Sequence, residues 1–473
     1  MTAPIPAIPP RRLPPRHALR VLLVLLVLVP VAILPGSDSP FVLPKAVLLV
    51  AGSLALLALL GETRGAPRGV PRWPLVPVAA LLGWVALATV LSPDPLHSLT
   101  GERIHLQGLI SVAAGALAVL AGRRLLLTRP GLLAVASAIG IATALVAGYG
   151  LLQGLGADPI WAGVLNKGRI FSTFGQANAL GGWLVIGIPF LTALVAVCGG
   201  RRRALAAAAL IAALIALAWS ESRGAWLGLG AATLVTGLLV ALRLRREPAL
   251  AARLRPSRRA ALAATSLLVA AAIIALPIAA RRVGDRESRV VGSVSMHVDL
   301  WRVAIRMAAD HPLTGVGPER YGDAFHATLG PVELPVNRLA DRAGQSWDLV
   351  GPVIAEPPPI DYRHAARIAR WRPASPHSVP LALAAGSGLP ALAAFLVVGV
   401  LALAGGVRRL LGAPPAEVAL VAALFAGLLA HLVADLFVAG ELAAGWTGWL
   451  LAGALLAGLP ALRGRDTAPA ATP

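Results

Sequence analysis

RRVGDRESRVVG (281–292) opens the only long run in this chain that is too polar for a membrane, and RWRPASPH (370–377) closes it. The run is dense in Arg, Asp, Glu, His and Pro, and apolar segments flank it on both sides. Lipid cannot satisfy charges and exposed backbone polar groups, so the run must lie outside the hydrocarbon layer. We predict that residues 281–377 form a large loop between two membrane spans, folded over a membrane-embedded cavity.

The composition of the 473-residue chain is typical of a polytopic membrane protein. Hydrophobic residues make up 57% of it and charged residues 14%, whereas about 25% of a typical soluble domain is charged. The apolar residues occur in blocks, and blocks of about 18 or more predict transmembrane helices. We predict an all-α fold with about twelve spans. They cover residues 18–34, 43–60, 74–91, 107–121, 131–154, 179–198, 204–219, 224–242, 261–280, 378–404, 416–439 and 444–462.

The first apolar block follows a basic region. It has no small-residue cleavage site before the next span, so we interpret it as a retained helix. The predicted segments are a cytoplasmic tail (1–17), spans one to nine (18–280), the extracytoplasmic loop (281–377), spans ten to twelve (378–462) and a second cytoplasmic tail (463–473).

Membrane topology explains the net charge of +20. With the N-terminus in the cytoplasm, the predicted cytoplasmic segments carry 24 of the 42 basic residues and 4 of the 22 acidic residues. The whole excess lies on that side, as the positive-inside rule requires. We therefore expect a multi-pass protein of the bacterial plasma (inner) membrane, with both termini cytoplasmic and no nucleic-acid partner. The single cysteine, Cys198, excludes an intrachain disulfide and a cysteine metal site.

Residues 297–311 (HVDLWRVAIRMAADH) of the large loop predict an amphipathic helix that ends near His311. Residues 315–318 (GVGP) predict a turn, 330–360 predict irregular structure, and 361–371 predict a short basic helix at the membrane surface. The apolar face of the first helix consists of Leu300, Val303, Ala304, Met307 and Ala308.

Arg223 lies in a very short predicted turn between spans seven and eight, which cannot carry its charge far from the bilayer. A charge in the membrane costs roughly 2.5–3.5 kcal/mol, so this arginine requires a partner or a site. The arginine fork matches two phosphate oxygens, which favours phosphate binding. Contact with lipid headgroups, or an ion pair with Glu221, explains the residue equally well.

His377 stands at the head of span ten, and an ordinary histidine pKa of about 6.5 suits proton abstraction from a sugar hydroxyl or a cationic role near phosphate. A packed or helix-capping role is the alternative for His377. For Arg169, contact with lipid headgroups is an equal alternative to a role in a binding site. His431 and Asp435 lie four residues apart on one helix face, where we interpret them as a structural hydrogen-bonded pair.

Other chemistries have no signal in the sequence. A phosphate-binding P-loop, HEXXH and a nucleophile-elbow serine are absent, as is a set of clustered acidic residues for a metal. We therefore expect a metal-independent site that uses no cofactor.

Five polar stretches occur in a fixed order: Gly101–Gly108 (GERIHLQG), Arg169–Asn178 (RIFSTFGQAN), Ser220–Trp226 (SESRGAW), Trp301–Gly317 with its HPLTGVG end, and His377-Ser378 with Gly388-Leu389-Pro390. Together with twelve spans and a long outer loop between spans nine and ten, they resemble the O-antigen ligase and polymerase superfamily of bacterial membrane glycosyltransferases. The resemblance covers most of the chain.

The chain departs from that family's pattern at three positions. His297 stands where the family often has an arginine four residues before the tryptophan, and Arg289 and Arg302 are nearby candidates to replace it. Ser378 replaces an asparagine after the loop histidine, and Gly386 replaces a frequent glutamate.

The resemblance implies the fold of lipid-dependent glycosyltransferases. It also implies transfer of a glycan from an undecaprenyl-diphosphate donor to an acceptor hydroxyl on the outer face of the plasma membrane, with inversion at the anomeric carbon. In lipopolysaccharide makers the acceptor is lipid A–core. On this reading Arg223 binds the diphosphate, and His377 positions or deprotonates the hydroxyl. Further diphosphate-binding residues would be Arg169, Arg289, His297 and Arg302. Supporting residues would be Arg103, Asn178, Ser222, His431 and Asp435.

Three other functions are open at this point. An O-antigen polymerase or a protein O-oligosaccharyltransferase would use the same kind of donor with another acceptor. A small-anion, bicarbonate-type transporter would also suit many spans and a positive cavity, although the sequence has no obvious inverted repeat and no matched pair of broken helices.

Overall fold

A computed structural model of the protein describes residues 16–62, 70–161, 169–247, 286–329 and 373–460. Within these ranges the regular structure is helical, which confirms the predicted all-α fold. One 3-10 turn covers Ser172–Phe174. The fifteen α-helices of the described ranges are α1 (Arg16–Val31), α2 (Leu43–Glu62), α3 (Leu75–Val90), α4 (Pro95–Thr100), α5 (Leu109–Leu125), α6 (Arg129–Gly154), α7 (Ala177–Val197), α8 (Gly200–Ser220), α9 (Arg223–Arg246), α10 (Arg286–Asp310), α11 (Tyr321–Leu329), α12 (Val379–Ser387), α13 (Leu389–Gly412), α14 (Val418–Ala434) and α15 (Leu442–Leu456).

Helices occupy every predicted span that falls within the described ranges. Six of them, α2, α6, α7, α8, α9 and α13, are long and apolar enough to cross a membrane, and α3, α14 and α15 are shorter apolar helices. The protein is therefore a polytopic membrane protein, while the number of about twelve crossings stays a prediction. The predicted span 261–280, the irregular stretch 330–360 and the short basic helix 361–371 lie outside the described residues.

The predicted span 378–404 is wrong as a single helix. Two helices, α12 and α13, replace it, and Gly388 between them has a φ of +84°. A Cβ atom at this position would meet the backbone of Pro312 and Leu313, so the break makes room for the large loop to dock. Hydropathy could not reveal it, because both helices are apolar and only the backbone conformation differs.

The docked segment is the predicted GVGP turn. The backbone N–H of Val316 donates to Ala385 O (2.8 Å), and that of Gly317 donates to Gly386 O (3.0 Å). The N–H of Leu389 donates back to Pro312 O (2.8 Å). These bonds join the large loop to the membrane helices, so the loop is part of the bundle's end.

The predicted amphipathic helix of the loop is confirmed in its end and in its buried face. It belongs to the longer α10, which ends at Asp310. All five predicted apolar residues are buried, and most of them pack in a small core with α11 and α12. The hydroxyl of Tyr321 donates to Leu300 O (2.8 Å) within this core.

Small residues allow the membrane helices to approach closely. This is usual in a membrane, where the hydrophobic effect does not drive helices together. Gly228 of α9 lies against the carbonyl of Ala430 in α14, and Gly224 lies one turn earlier against Phe437. Gly122 and Gly453 do the same between α5 and α15. The most buried of the six long helices is α7, which packs against α6, α8, α9 and α14.

Candidate functional site

The turn before α9 presents Arg223 at one end of the bundle. Helix α8 ends at Ser220, Glu221 adopts a left-handed conformation (φ +49°), and α9 begins at Arg223. Ser222 is buried against Gly181 of α7, whereas the side chain of Arg223 is exposed. The turn is as short as its sequence predicts, so the guanidinium stays next to the bundle.

Arg169 holds this turn in place. Its Nε donates to Ser220 O (2.7 Å), and one of its terminal nitrogens donates to Asn178 Oδ1 at the start of α7 (2.8 Å). Burial lowers the pKa of Arg169, the charge of Glu221 opposes this effect, and the charge of Arg223 adds to it. The three charged side chains are therefore neighbours, and two N–H groups of Arg169 donate to acceptors within the protein.

His377 ends the large loop in a left-handed conformation (φ +51°), and its N–H donates to Ser375 Oγ (3.2 Å). Ser378, not His377, is the N-cap residue of α12. Burial, together with the neighbouring His297 and His105, lowers the pKa of His377 to about 4. The imidazole is therefore neutral at pH 7 and has a lone pair that can accept a hydrogen bond.

An aromatic row connects His377 to the turn of Arg223. The ring centroids of His377 and His297 lie 5.7 Å apart, those of His297 and Trp301 6.1 Å, and those of Trp301 and Phe437 6.1 Å. A Cβ atom on Gly224 would lie 2.9 Å from Phe437 Cβ. The row thus places the start of α9 and the end of the large loop on the same end of the bundle.

The remaining predicted residues lie at varying positions around this row. Arg302 is exposed and lies 3.9 Å from the carboxylate of Asp299. Arg103 is exposed, and its carbonyl accepts a hydrogen bond from Ser39 Oγ (3.2 Å). Arg289 lies near the start of α10, where the structure does not describe side chains. The geometry therefore brings His297 to His377 and leaves Arg103 and Arg302 at the surface.

His431 and Asp435 approach each other at the end of α14, with Nε2 and Oδ2 3.4 Å apart. The backbone N–H of Val379 donates to Asp435 O (2.8 Å), so this pair lies close to the chain segment that follows His377. Both side chains also line a cavity of about 610 Å³ between α2, α3, α5 and α12 to α15.

The polar end of that cavity holds residues to which the sequence reasoning gave no role. Glu319 (φ +60°) and Gln107 both line it, and Nδ1 of His105 lies 3.8 Å from Glu319 Oε2. Burial raises the pKa of Glu319 to about 7, although the N–H groups of Glu102 and Gln107 approach its carboxylate and oppose the shift. Two signals were available: His105 and Gln107 lie in the polar stretch Gly101–Gly108, and Glu319 lies directly after the GVGP turn.

Comparison with known proteins yields one finding. Residues 206–396 match the family model described as O-Antigen ligase, and a search of curated proteins found no match. The matched range contains Arg223, His297, Trp301, Glu319 and His377. It thus spans α9, the large loop and the helix break at Gly388, and it supports a role in glycan transfer at the membrane. The match is consistent with the O-antigen ligase superfamily that the polar stretches of this multi-pass membrane protein resemble.

Proposed function

We propose that the protein is a metal-independent, inverting glycosyltransferase on the outer face of the plasma membrane. It moves a glycan from an undecaprenyl-diphosphate donor to the hydroxyl of a glycan acceptor, which is lipid A–core in an O-antigen ligase. The aromatic row from Gly224 to His377 carries this proposal, because it joins an exposed arginine and a neutral histidine at one end of the bundle.

Arg223 binds the diphosphate in this proposal. The acceptor oxygen attacks the anomeric carbon, and the bond from that carbon to the diphosphate oxygen breaks. Its electron pair leaves with the diphosphate, where the guanidinium stabilises the developing charge. Arg169 keeps the turn in position through Ser220 and Asn178.

His377 orients the acceptor. Its neutral imidazole accepts a hydrogen bond from the acceptor hydroxyl and takes the proton as the new bond forms. A base of such low pKa is weak, but the diphosphate is a good leaving group. Alignment of the reactants therefore supplies much of the rate. Direct attack inverts the configuration at the anomeric carbon.

The test is a transfer assay in proteoliposomes with a lipid-linked donor. Arg223→Ala should lower transfer by roughly 100-fold or more, as the loss of one stabilising donor does elsewhere. His377→Ala should lower it by roughly 100-fold or more as well, as the loss of a positioned base does. Arg245→Ala is the matched control, since Arg245 is an exposed arginine at the other end of the same helix. If both site variants insert normally and retain transfer, the assignment of these residues is wrong.

The product of the transfer assay identifies the acceptor. A single addition to each acceptor molecule indicates a ligase, whereas a ladder of glycan lengths on a gel indicates a polymerase. Transfer to a protein indicates an O-oligosaccharyltransferase. Uptake of labelled bicarbonate into liposomes without any donor lipid would favour transport instead.

A further inference from the structure

The cavity of about 610 Å³ differs in charge from the turn that presents Arg223. Three carboxylic acids line it, Glu319, Asp435 and Glu441, and no arginine or lysine does so within the described part of the chain. Lys45, whose charge acts on Glu441, is not in the lining, and its ammonium donates to three backbone carbonyls. A phosphate group in this cavity would find no arginine or lysine to pair with.

Three residues of its wall have unpaired polar atoms. Glu319 Oε2, Gln107 Nε2 and His431 Nδ1 are buried and have no hydrogen-bond partner among the described residues, and all three residues line the cavity. His105 Nδ1, beside Glu319, is buried and unpaired as well. A buried polar atom without a partner costs free energy, so these atoms call for a ligand or water. A hydroxyl group can donate to Glu319 and accept from Gln107.

The rest of the cavity wall is apolar. Its lining includes Val47 and Leu54 of α2, which are 58% and 60% exposed, so the cavity opens sideways along this helix. In a membrane that surface faces lipid. Phe395, Trp446 and Trp449 cover the inner wall. The wall thus suits an alkyl chain that enters from the bilayer.

We propose that this cavity binds an uncharged glycolipid, with its alkyl chain along α2 and a headgroup hydroxyl at Glu319 and Gln107. Binding of this lipid goes beyond the proposed function. The role of this lipid as the acceptor rests on that function. If the lipid is the acceptor, the part of the acceptor that the cavity binds carries no phosphate.

A photocrosslinking experiment tests the binding without any donor lipid, so its result does not depend on transfer. The full chain is placed in phosphatidylcholine nanodiscs with a photoactivatable dodecyl glucoside, or with a dodecyl phosphate that carries the same photoreactive chain. Peptide mapping should find the glucoside on cavity-lining residues, at a yield about tenfold above that of the phosphate, a ratio that corresponds to about 1.4 kcal/mol. An equal or higher yield for the phosphate would overturn the proposal.

Gly445→Leu is the blocking variant, because Gly445 lines the cavity and a Cβ atom there meets nothing within 4 Å. Gly148→Leu is its matched control, since Gly148 of α6 also has open space around it but does not line the cavity. The blocking variant should lose crosslinking at the cavity while the control keeps it. Equal yields in the two variants would overturn the site.

Glu319→Leu separates the headgroup contact from the chain contact. It should weaken crosslinking of the glucoside about tenfold and leave a dodecane probe unaffected. If Glu319→Leu does not reach the nanodisc folded, Gln107→Leu replaces it, because Gln107 Nε2 is the unpaired donor of the same region. An unchanged glucoside yield in a folded variant would mean that water, not a headgroup, satisfies these atoms.

Discussion

Two arginines near the same turn use their guanidinium groups differently. Arg169 donates to a carbonyl and to an amide oxygen that lie on different helices, so its geometry is fixed by the protein. Arg223 is exposed at the start of α9. We infer that Arg169 is a positioning residue and that Arg223 meets the donor. The sequence marked both residues but could not divide these roles, because hydrogen-bond partners at positions 178 and 220 are a matter of tertiary structure.

Arg169→Lys tests this division. Lysine keeps the positive charge but lacks the planar fork that reaches two acceptors at once. We expect transfer to fall about tenfold or more, mainly in kcat, because the turn that presents Arg223 loses its support. Kinetics in proteoliposomes provide the measurement, and a melting curve serves as the folding control. Full activity of the lysine variant would show that Arg169 contributes only charge.

Glu319→Gln gives a pH-dependent prediction. Burial raises the pKa of Glu319 from its ordinary value of 4.5 to about 7, so its ionisation destabilises the fold as the pH rises through this interval. The glutamine variant lacks this cost. We therefore expect its melting temperature to exceed that of the wild type at pH 8 by more than at pH 5. A difference that is equal at both pH values would mean that Glu319 titrates normally.

At the scale of elements, the pattern of apolar residues predicted most of the helices, and it predicted the buried face of α10 residue by residue. It failed at Gly388, where two apolar helices meet. It also could not reveal which side chains donate hydrogen bonds to the helix-end carbonyls at the other end of the bundle. There Arg243 donates to the carbonyls of Leu410 and Ala413, and Arg409 donates to those of Leu126 and Ala454. The charge distribution predicted only that these arginines lie in cytoplasmic segments, whereas in the structure they also cap helix ends.

Arg243→Leu should destabilise the protein. The side chain is buried, and its removal leaves two helix-end carbonyls without their donors, at a cost of roughly 1–3 kcal/mol for each. Arg245→Leu is the matched control, because Arg245 is exposed two residues later in the same helix. Thermal unfolding in detergent should show a lower midpoint for the first variant alone. Equal midpoints would mean that water reaches these carbonyls.

At the scale of the whole molecule, two regions of opposite character lie near one end of the bundle. The turn of Arg223 is cationic, and the cavity beside it is apolar with a carboxylic-acid lining. The cavity wall draws on residues from Ala46 to Ala452, so proximity along the sequence gave no sign of it. The candidate site around Arg223 was predictable, because its residues lie in short polar stretches between apolar blocks. The cavity was not, because most of its wall consists of ordinary membrane-helix residues.

In the proposed mechanism Arg223 neutralises the leaving diphosphate, so the reaction needs no divalent ion. In many phosphate-transfer sites a metal neutralises the leaving group, but a guanidinium that binds the diphosphate can supply that charge itself. We expect the transfer rate to be unchanged by excess EDTA in proteoliposomes that contain donor and acceptor. The Arg223→Ala variant should not be rescued by added Mg²⁺ or Mn²⁺. A rate that collapses with chelator and returns with one particular divalent ion would contradict this account, since the charge on the leaving diphosphate would then be carried by that ion and not by the arginine.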